Sequence, residues 1–195
     1  MKKPDIIAAL DMVIDNFEDL GITYFIGGSV ASSAYGIARA TLDIDLVAKV
    51  EMHQIDSLVK ALEKDYYISA DMINDAIHNK TSFNLIHLET MLKIDVFILK
   101  DQPFDSEALA RRRPDILDEE SARQFYLSSP EDIILSKLRW YQDGGCVSER
   151  QLKDVLGVLK VQTDKLDMEY LKYWASQLQL LELLNGLLND AGLKK

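Results

Sequence analysis

Apolar residues in the first part of the chain recur at helical spacing. Ile6, Ile7, Leu10, Ile14 and Phe17 share one stripe and Gly21 ends the run, which predicts an amphipathic helix over residues 4–20. The period then shortens. Residues 23–26 read as a strand, Gly27-Gly28 as a turn, and Ser29 as the cap of a short helix ending near Gly36. Residues 42–47 predict a second strand and 51–64 a helix behind it. A further helix is expected over 71–79, and residues 83–88 and 92–99 read as paired strands around Glu89-Thr90-Met91. Two short strands are expected within 115–127, around Asp118-Glu119-Glu120.

From Ser128-Ser129-Pro130-Glu131-Asp132 onward the period is helical throughout. Hydroxyl caps, a proline in the first turn and acids beside it form a strong helix start. Gly144-Gly145 breaks this helix, and Ser148-x-x-Gln151 reads as a capping box for the next. Two more helices follow, over 170–180 and 181–188. Leu178, Leu181, Leu184 and Leu188 recur at helical spacing as core residues, or as a partner groove that Gly186 would let a second backbone approach. The pattern predicts an α+β protein: a mixed sheet with flanking helices over 1–127, then a C-terminal α-helical bundle over 128–195.

Composition narrows the setting. The chain has 195 residues, 48% hydrophobic and 28% charged, ordinary values for a globular protein with a core. The opening Met-Lys-Lys-Pro-Asp lacks an apolar h-region, and no run approaches the ~20 apolar residues of a membrane span. Cys146 is the sole cysteine, which excludes an internal disulfide and a thiolate zinc cluster. A cytoplasmic protein without a membrane partner is expected. The net charge of −10 argues against a general nucleic-acid coat. Arg111-Arg112-Arg113 is the dense basic cluster, either a solvated helix end or a local contact for an RNA end.

Three acids then stand out. In a strand, alternate side chains share a face, so Asp43 and Asp45 project together while Leu42, Ile44 and Leu46 point the other way. Alone, the pair also fits the solvated face of an edge strand. Asp95 shifts the balance, because it lies among Ile94, Val96, Phe97 and Ile98 and an acid there needs a partner. Carboxylates on neighbouring strands can hold two Mg²⁺ ions roughly 3.5–4 Å apart, the clamp used in phosphoryl and nucleotidyl transfer. Asp95 can serve as ligand or as base. Gly27, Gly28 and Ser29 offer backbone N–H groups and a hydroxyl to a phosphate, although a Gly-Gly-Ser turn is also a common structural device.

Two cations accompany them. Lys137 sits among Ile133, Ile134, Trp140 and Tyr141 on one helix face, so its ammonium either snorkels to solvent or reaches a nucleotide phosphate. Arg39 falls on the alternation of Thr41, Asp43 and Asp45, placed for a phosphate or for a surface salt bridge. By periodicity Asp154 lies opposite the stripe of Leu152, Val155, Leu156 and Leu159, as a solvated acid.

Gly27-Gly28-Ser29, Arg39-x-Thr41-x-Asp43-x-Asp45 and the later Asp95 together resemble the nucleotidyltransferase superfamily of the DNA polymerase beta type. Ser129-Pro130-Glu131-Asp132-Ile-Ile-Leu-Ser-Lys137-Leu and Arg150-Gln-Leu-Lys-Asp154-Val-Leu resemble later motifs of the AbiEii-like branch, which includes toxins such as the MenT group. The resemblance covers about residues 20–190. It implies transfer of a nucleoside monophosphate from an NTP to a hydroxyl on a tRNA 3′ end, a protein or a small molecule, with Mg²⁺ or Mn²⁺ as cofactor. It also implies that Asp43 and Asp45 hold metal with Asp95 as the third carboxylate, that Gly28, Ser29 and Lys137 hold phosphates, and that Asp154 supports the site. A toxin would have a cognate antitoxin as partner. The alternative is a regulatory or antitoxin-type module that binds nucleotide with catalysis weakened or lost.

Overall fold

In a computed structural model that describes residues 5–117 and 123–193, the N-terminal stripe forms helix α1 (Asp5–Asp19), with Leu10, Val13, Ile14 and Phe17 fully buried. Strand β1 (Thr23–Ile26) follows, then α2 (Gly28–Tyr35) and β2 (Asp43–Lys49). A 3-10 turn (Met52–Gln54) leads into α3 (Ile55–Leu62), after which come β3 (Tyr66–Tyr67), α4 (Ala70–Asn79), β4 (Ser82–His87) and β5 (Lys93–Ile98). Helix α5 (Pro103–Ala110) precedes β6 (Arg113–Ile116) and β7 (Gln124–Leu127). The last stretch is helical: α6 (Pro130–Asp143), α7 (Glu149–Val161), α8 (Met168–Gln177) and α9 (Leu181–Asp190). The acidic turn expected at Asp118-Glu119-Glu120, and the helix start expected at Pro4, lie outside the described residues. No helix among the described residues is long and apolar enough to cross a membrane.

Two compact units are formed. One takes the chain up to Gly27 and from Thr41 to Leu127; the other takes Gly28–Ala40 and the chain from Ser128 onward. The first is built on a seven-stranded sheet of order β3-β4-β5-β2-β1-β7-β6, with β2 antiparallel to β1 and parallel to β5. Its central strands alternate cleanly. Ile44, Leu46 and Ala48 of β2, with Ile94 and Val96 of β5, are fully buried, and α1, α3 and α4 supply the matching apolar layer. Tyr66 joins this layer and donates its hydroxyl to Ala9 O at 2.9 Å. Burial holds the Tyr66 phenol above its ordinary value.

The second unit is helical. Ser129 caps α6: its Oγ accepts from the Asp132 N–H at 3.2 Å and donates to Asp132 Oδ2 at 2.6 Å. Glu131 and Asp132 are fully buried, yet they are not stranded. Tyr170 donates to Asp132 Oδ1 at 2.6 Å and the Asp167 N–H donates to Glu131 Oε1 at 2.9 Å, so the first turn of α6 is tied to the start of α8. Helix α2 packs here against α6 and α7. The approach to α7 is glycine-limited. A Cβ on Gly36 would lie 2.8 Å from Ser32 O and 2.9 Å from Val158 N, and one on Gly157 would lie 3.2 Å from Ile37 N.

Several local expectations give way to tertiary contacts. Ser29 does not cap α2, because that helix already begins at Gly28, whose φ of +53° makes the turn. Ser148 does precede α7, but its side chain makes no capping bond; the Gln151 amide oxygen accepts instead from Lys137 Nζ at 3.2 Å. Helix α5, which ends at the Arg111 cluster, and strand β3 leave little periodic signal in the sequence, the first because only Phe104 and Ala108 are buried, the second because it has two residues.

Gly36→Ala should destabilise the protein by about 1–3 kcal/mol through overpacking against backbone. Gly186→Ala, at an open and exposed position inside α9, should instead stabilise by up to about 1 kcal/mol. Urea unfolding of both variants beside the parent checks the opposite signs.

Candidate active site

The parallel register of β2 against β5 decides the chemistry of the first unit. Asp43 is opposite Lys93 and Asp45 opposite Asp95, while Asn84 of β4 is opposite Asp95 on its other side. Directly opposed residues share a face. Asp43, Asp45 and Asp95 are therefore brought together on the sheet face turned away from Ile44 and Leu46, as the strand pattern predicts. The same register adds a residue that the pattern did not single out. Lys93 Nζ lies 2.7 Å from Asp95 Oδ2 and 3.8 Å from Asp43 Oδ1. The hydrogen bond to Asp95 raises the Lys93 pKa above its ordinary value; desolvation opposes this, and the charges of Asp95, Asp43 and Asp45 reinforce it. Asp95 thus has the partner its apolar strand demanded. The signal was in the sequence: Lys93 is two residues before Asp95, on the same strand face.

Gly27 ties the glycine turn to this face. Its N–H donates to Asp45 O at 2.8 Å, where β1 ends beside β2. With Gly28 left-handed, the chain leaves the sheet immediately and enters α2.

The second unit gathers the remaining candidates around one carboxylate. Asp154 Oδ2 accepts from Lys137 Nζ at 2.8 Å, and Arg39 grips the carboxylate with both arms, Nε to Oδ1 at 3.0 Å and Nη2 to Oδ2 at 3.0 Å. Arg39 Nη2 also donates to Ser29 Oγ. The Asp154 side chain is 7% exposed and that of Lys137 is 6% exposed. Periodicity had placed Asp154 in solvent. It is buried instead, because Arg39 and Lys137 close over it from a loop and from a neighbouring helix. Snorkelling is likewise excluded for Lys137: its ammonium turns inward to Asp154 and Gln151. Burial by itself would raise the Asp154 carboxyl, but the hydrogen bonds and charges of Arg39 and Lys137 outweigh it and hold the group below its ordinary value. Arg39 is no strand residue, and its salt bridge is half-buried and bidentate rather than superficial.

No family model matches the sequence, and no curated protein sequence matches it. Solved structures do. The solution structure of the antibiotic-resistance factor ANT(2'')-Ia superposes with a TM-score of 0.55 at 13% identity, over 92% of this chain and 96% of that one. The crystal structure of ANT(2'')-Ia in complex with adenylyl-2''-tobramycin gives 0.57 at 12% identity, over 90% and 98%. An antigenic nucleotidyltransferase-like protein from Paracoccidioides brasiliensis gives 0.52 at 17% identity, over 92% and 91%. The chain has the nucleotidyltransferase fold.

Within that fold, the acids of β2 and β5 are the donors available to a divalent cation. Their chemistry fits one: three carboxylates on a single face, two of them directly opposed, match the oxygen preference of Mg²⁺. Among the described residues, however, no group of three or more His, Cys, Asp or Glu side chains is arranged to hold a metal ion. The ammonium of Lys93 is instead seated on Asp95. Arg112 of the basic cluster stacks over the Tyr126 ring, 4.7 Å from its centroid, and donates to Leu109 O at 2.8 Å, so that side chain is anchored rather than freely solvated.

The depressed Asp154 pKa contributes stability that is present above the ordinary carboxylate range and is lost as the pH falls through the folded value. Asp154→Asn, which removes the charge that Arg39 and Lys137 share, should cost about 1.5–3 kcal/mol near neutrality. The gap to the parent protein should narrow only in acid, below a pH of about 4. Unfolding midpoints measured against pH for both proteins check this; a gap that stays constant in acid would assign the cost elsewhere.

Proposed function

We propose that the protein is a divalent-metal-dependent nucleotidyltransferase that moves a nucleoside monophosphate from an NTP to an acceptor hydroxyl and releases pyrophosphate. The observation that carries the reading is the shared face of Asp43, Asp45 and Asp95 on a sheet of nucleotidyltransferase fold, with the Gly27 N–H bonded to the strand of the acid pair. Asp43 and Asp45 would hold Mg²⁺, or Mn²⁺ in its place, and Asp95 would supply the third carboxylate. The metal, when bound, stabilises charge on the transferring phosphoryl group and its leaving oxygen. Gly28 and Ser29, at the start of α2, offer their N–H groups to a phosphate.

Lys137 and Arg39, both held on Asp154, are the cations that would contact the phosphates in this reading, and Asp154 is a positioning residue. It accepts hydrogen bonds from both and so fixes where the two cations lie. The paired motifs around Lys137 and Asp154 favour the AbiEii-like branch. For the acceptor, a net charge of −10 favours a neutral or cationic small molecule over a polyanion such as tRNA, because RNA binding rewards many basic contacts.

Incubation with Mg²⁺ and each labelled NTP in turn, with pools of small molecules, protein and RNA, should show pyrophosphate release and label in the small-molecule pool. Label in RNA alone would overturn the acceptor assignment. The Asp43→Ala, Asp45→Ala double variant should lose at least ~10³-fold of this activity while remaining folded, since the buried side of β2 is untouched. Transfer at the parent rate would sink the metal reading. Lys137→Ala should raise the NTP concentration needed for half-maximal rate by about tenfold or more. An unchanged dependence on NTP would confine Lys137 to holding Asp154.

A further inference from the structure

The acidic face carries its own cation. From the observed pairing we infer that Lys93 is a displaceable counter-ion of Asp43, Asp45 and Asp95, and that its ammonium sets the affinity of this face for a divalent metal. The inference deepens the metal-dependent reading above and rests on it.

Three observations support it. Register puts Lys93 directly opposite Asp43 and on the same strand face as Asp95, so its head group cannot avoid the acids without swinging to solvent. Its distances of 2.7 Å to Asp95 and 3.8 Å to Asp43 put positive charge where metal-binding oxygens would need it. The side chain is also 40% exposed, unlike the buried Lys137. A four-carbon stem with that exposure can move its ammonium into water at small cost.

Charge counting gives the consequence. Three carboxylates and one ammonium carry −2, so the folded protein without metal avoids three crowded negative charges on neighbouring strands. A single divalent ion brings the cluster to 0 with the lysine present and to −1 without it, so the lysine weakens the attraction for bare metal. Lys93 therefore stabilises the metal-free protein and opposes metal loading. A residue that merely oriented Asp95 as a ligand would have the opposite effect, since its removal would weaken metal binding.

The test is Mn²⁺ titration of the full chain without nucleotide, followed by electron paramagnetic resonance of the free ion. Lys93→Met and Lys93→Gln should bind Mn²⁺ more tightly than the parent by roughly fivefold or more, the floor set by a single pair of unit charges about 4 Å apart in water. Both should also unfold at lower temperature in EDTA and show a larger Mn²⁺-induced rise in Tm. Lys93→Arg, which keeps the charge, should bind no more tightly than the parent. Lys60→Gln, which removes an exposed charge on α3, should leave Mn²⁺ affinity unchanged. Equal or weaker Mn²⁺ binding by both neutral variants, with binding still abolished by Asp45→Asn, would overturn the role of Lys93 and leave the metal site standing. Absence of any Asp45-dependent Mn²⁺ binding would overturn both.

Discussion

The register of β2 is the constraint on which the first unit depends. Ile44, Leu46 and Ala48 are fully buried against helices on one side, and Asp43 and Asp45 alternate with them on the other. A slip of one residue would exchange the two sets, placing carboxylates in an apolar layer and three apolar side chains outside it. Neither half of that exchange is tolerable, so packing and acid placement are one decision. Because β5 runs parallel to β2 in the same alternation, the rule that buries Ile94 and Val96 also delivers Asp95 and Lys93 to the acidic face.

In the second unit a single carboxylate plays the comparable part. Asp154 is nearly sealed from water and would be costly there alone. Arg39 reaches it bidentately from the loop beyond α2, and Lys137 reaches it from α6. The close approach that permits this is made by small residues: Gly36 and Gly157 bring the α2 loop against α7, one turn from Asp154. Steric room and electrostatics thus reinforce each other. The glycines allow the loop near, and the ion pair specifies where its arginine lands.

The two clusters share a design but differ in balance. Around Asp154 two cations share one acid. On the sheet one lysine is shared between acids, Asp95 and Asp43. The internal counter-ions moderate each cluster, so that neither fold unit must hold its full set of like charges uncompensated when empty.

Periodicity in the sequence was enough to determine the α+β class, most of the helices and central strands, and the shared face of Asp43 and Asp45. These follow from spacing along one element, and spacing survives without knowledge of partners. The environment of Asp154 did not follow. Its helix marks it as outward-facing, and only Arg39 and Lys137, distant in sequence, make that position interior. The Ser29 cap and the Ser148-x-x-Gln151 box do not form for reasons outside their local sequence: α2 already begins at Gly28, and the Gln151 amide oxygen accepts from Lys137 instead. Lys93 was within reach of the strand rule, but its meaning depends on the β2–β5 register, which joins segments that the sequence lists separately. The chain's own pattern determines which face a side chain takes; the tertiary structure alone decides which charge it meets there, because electrostatic partners are chosen by distance in space.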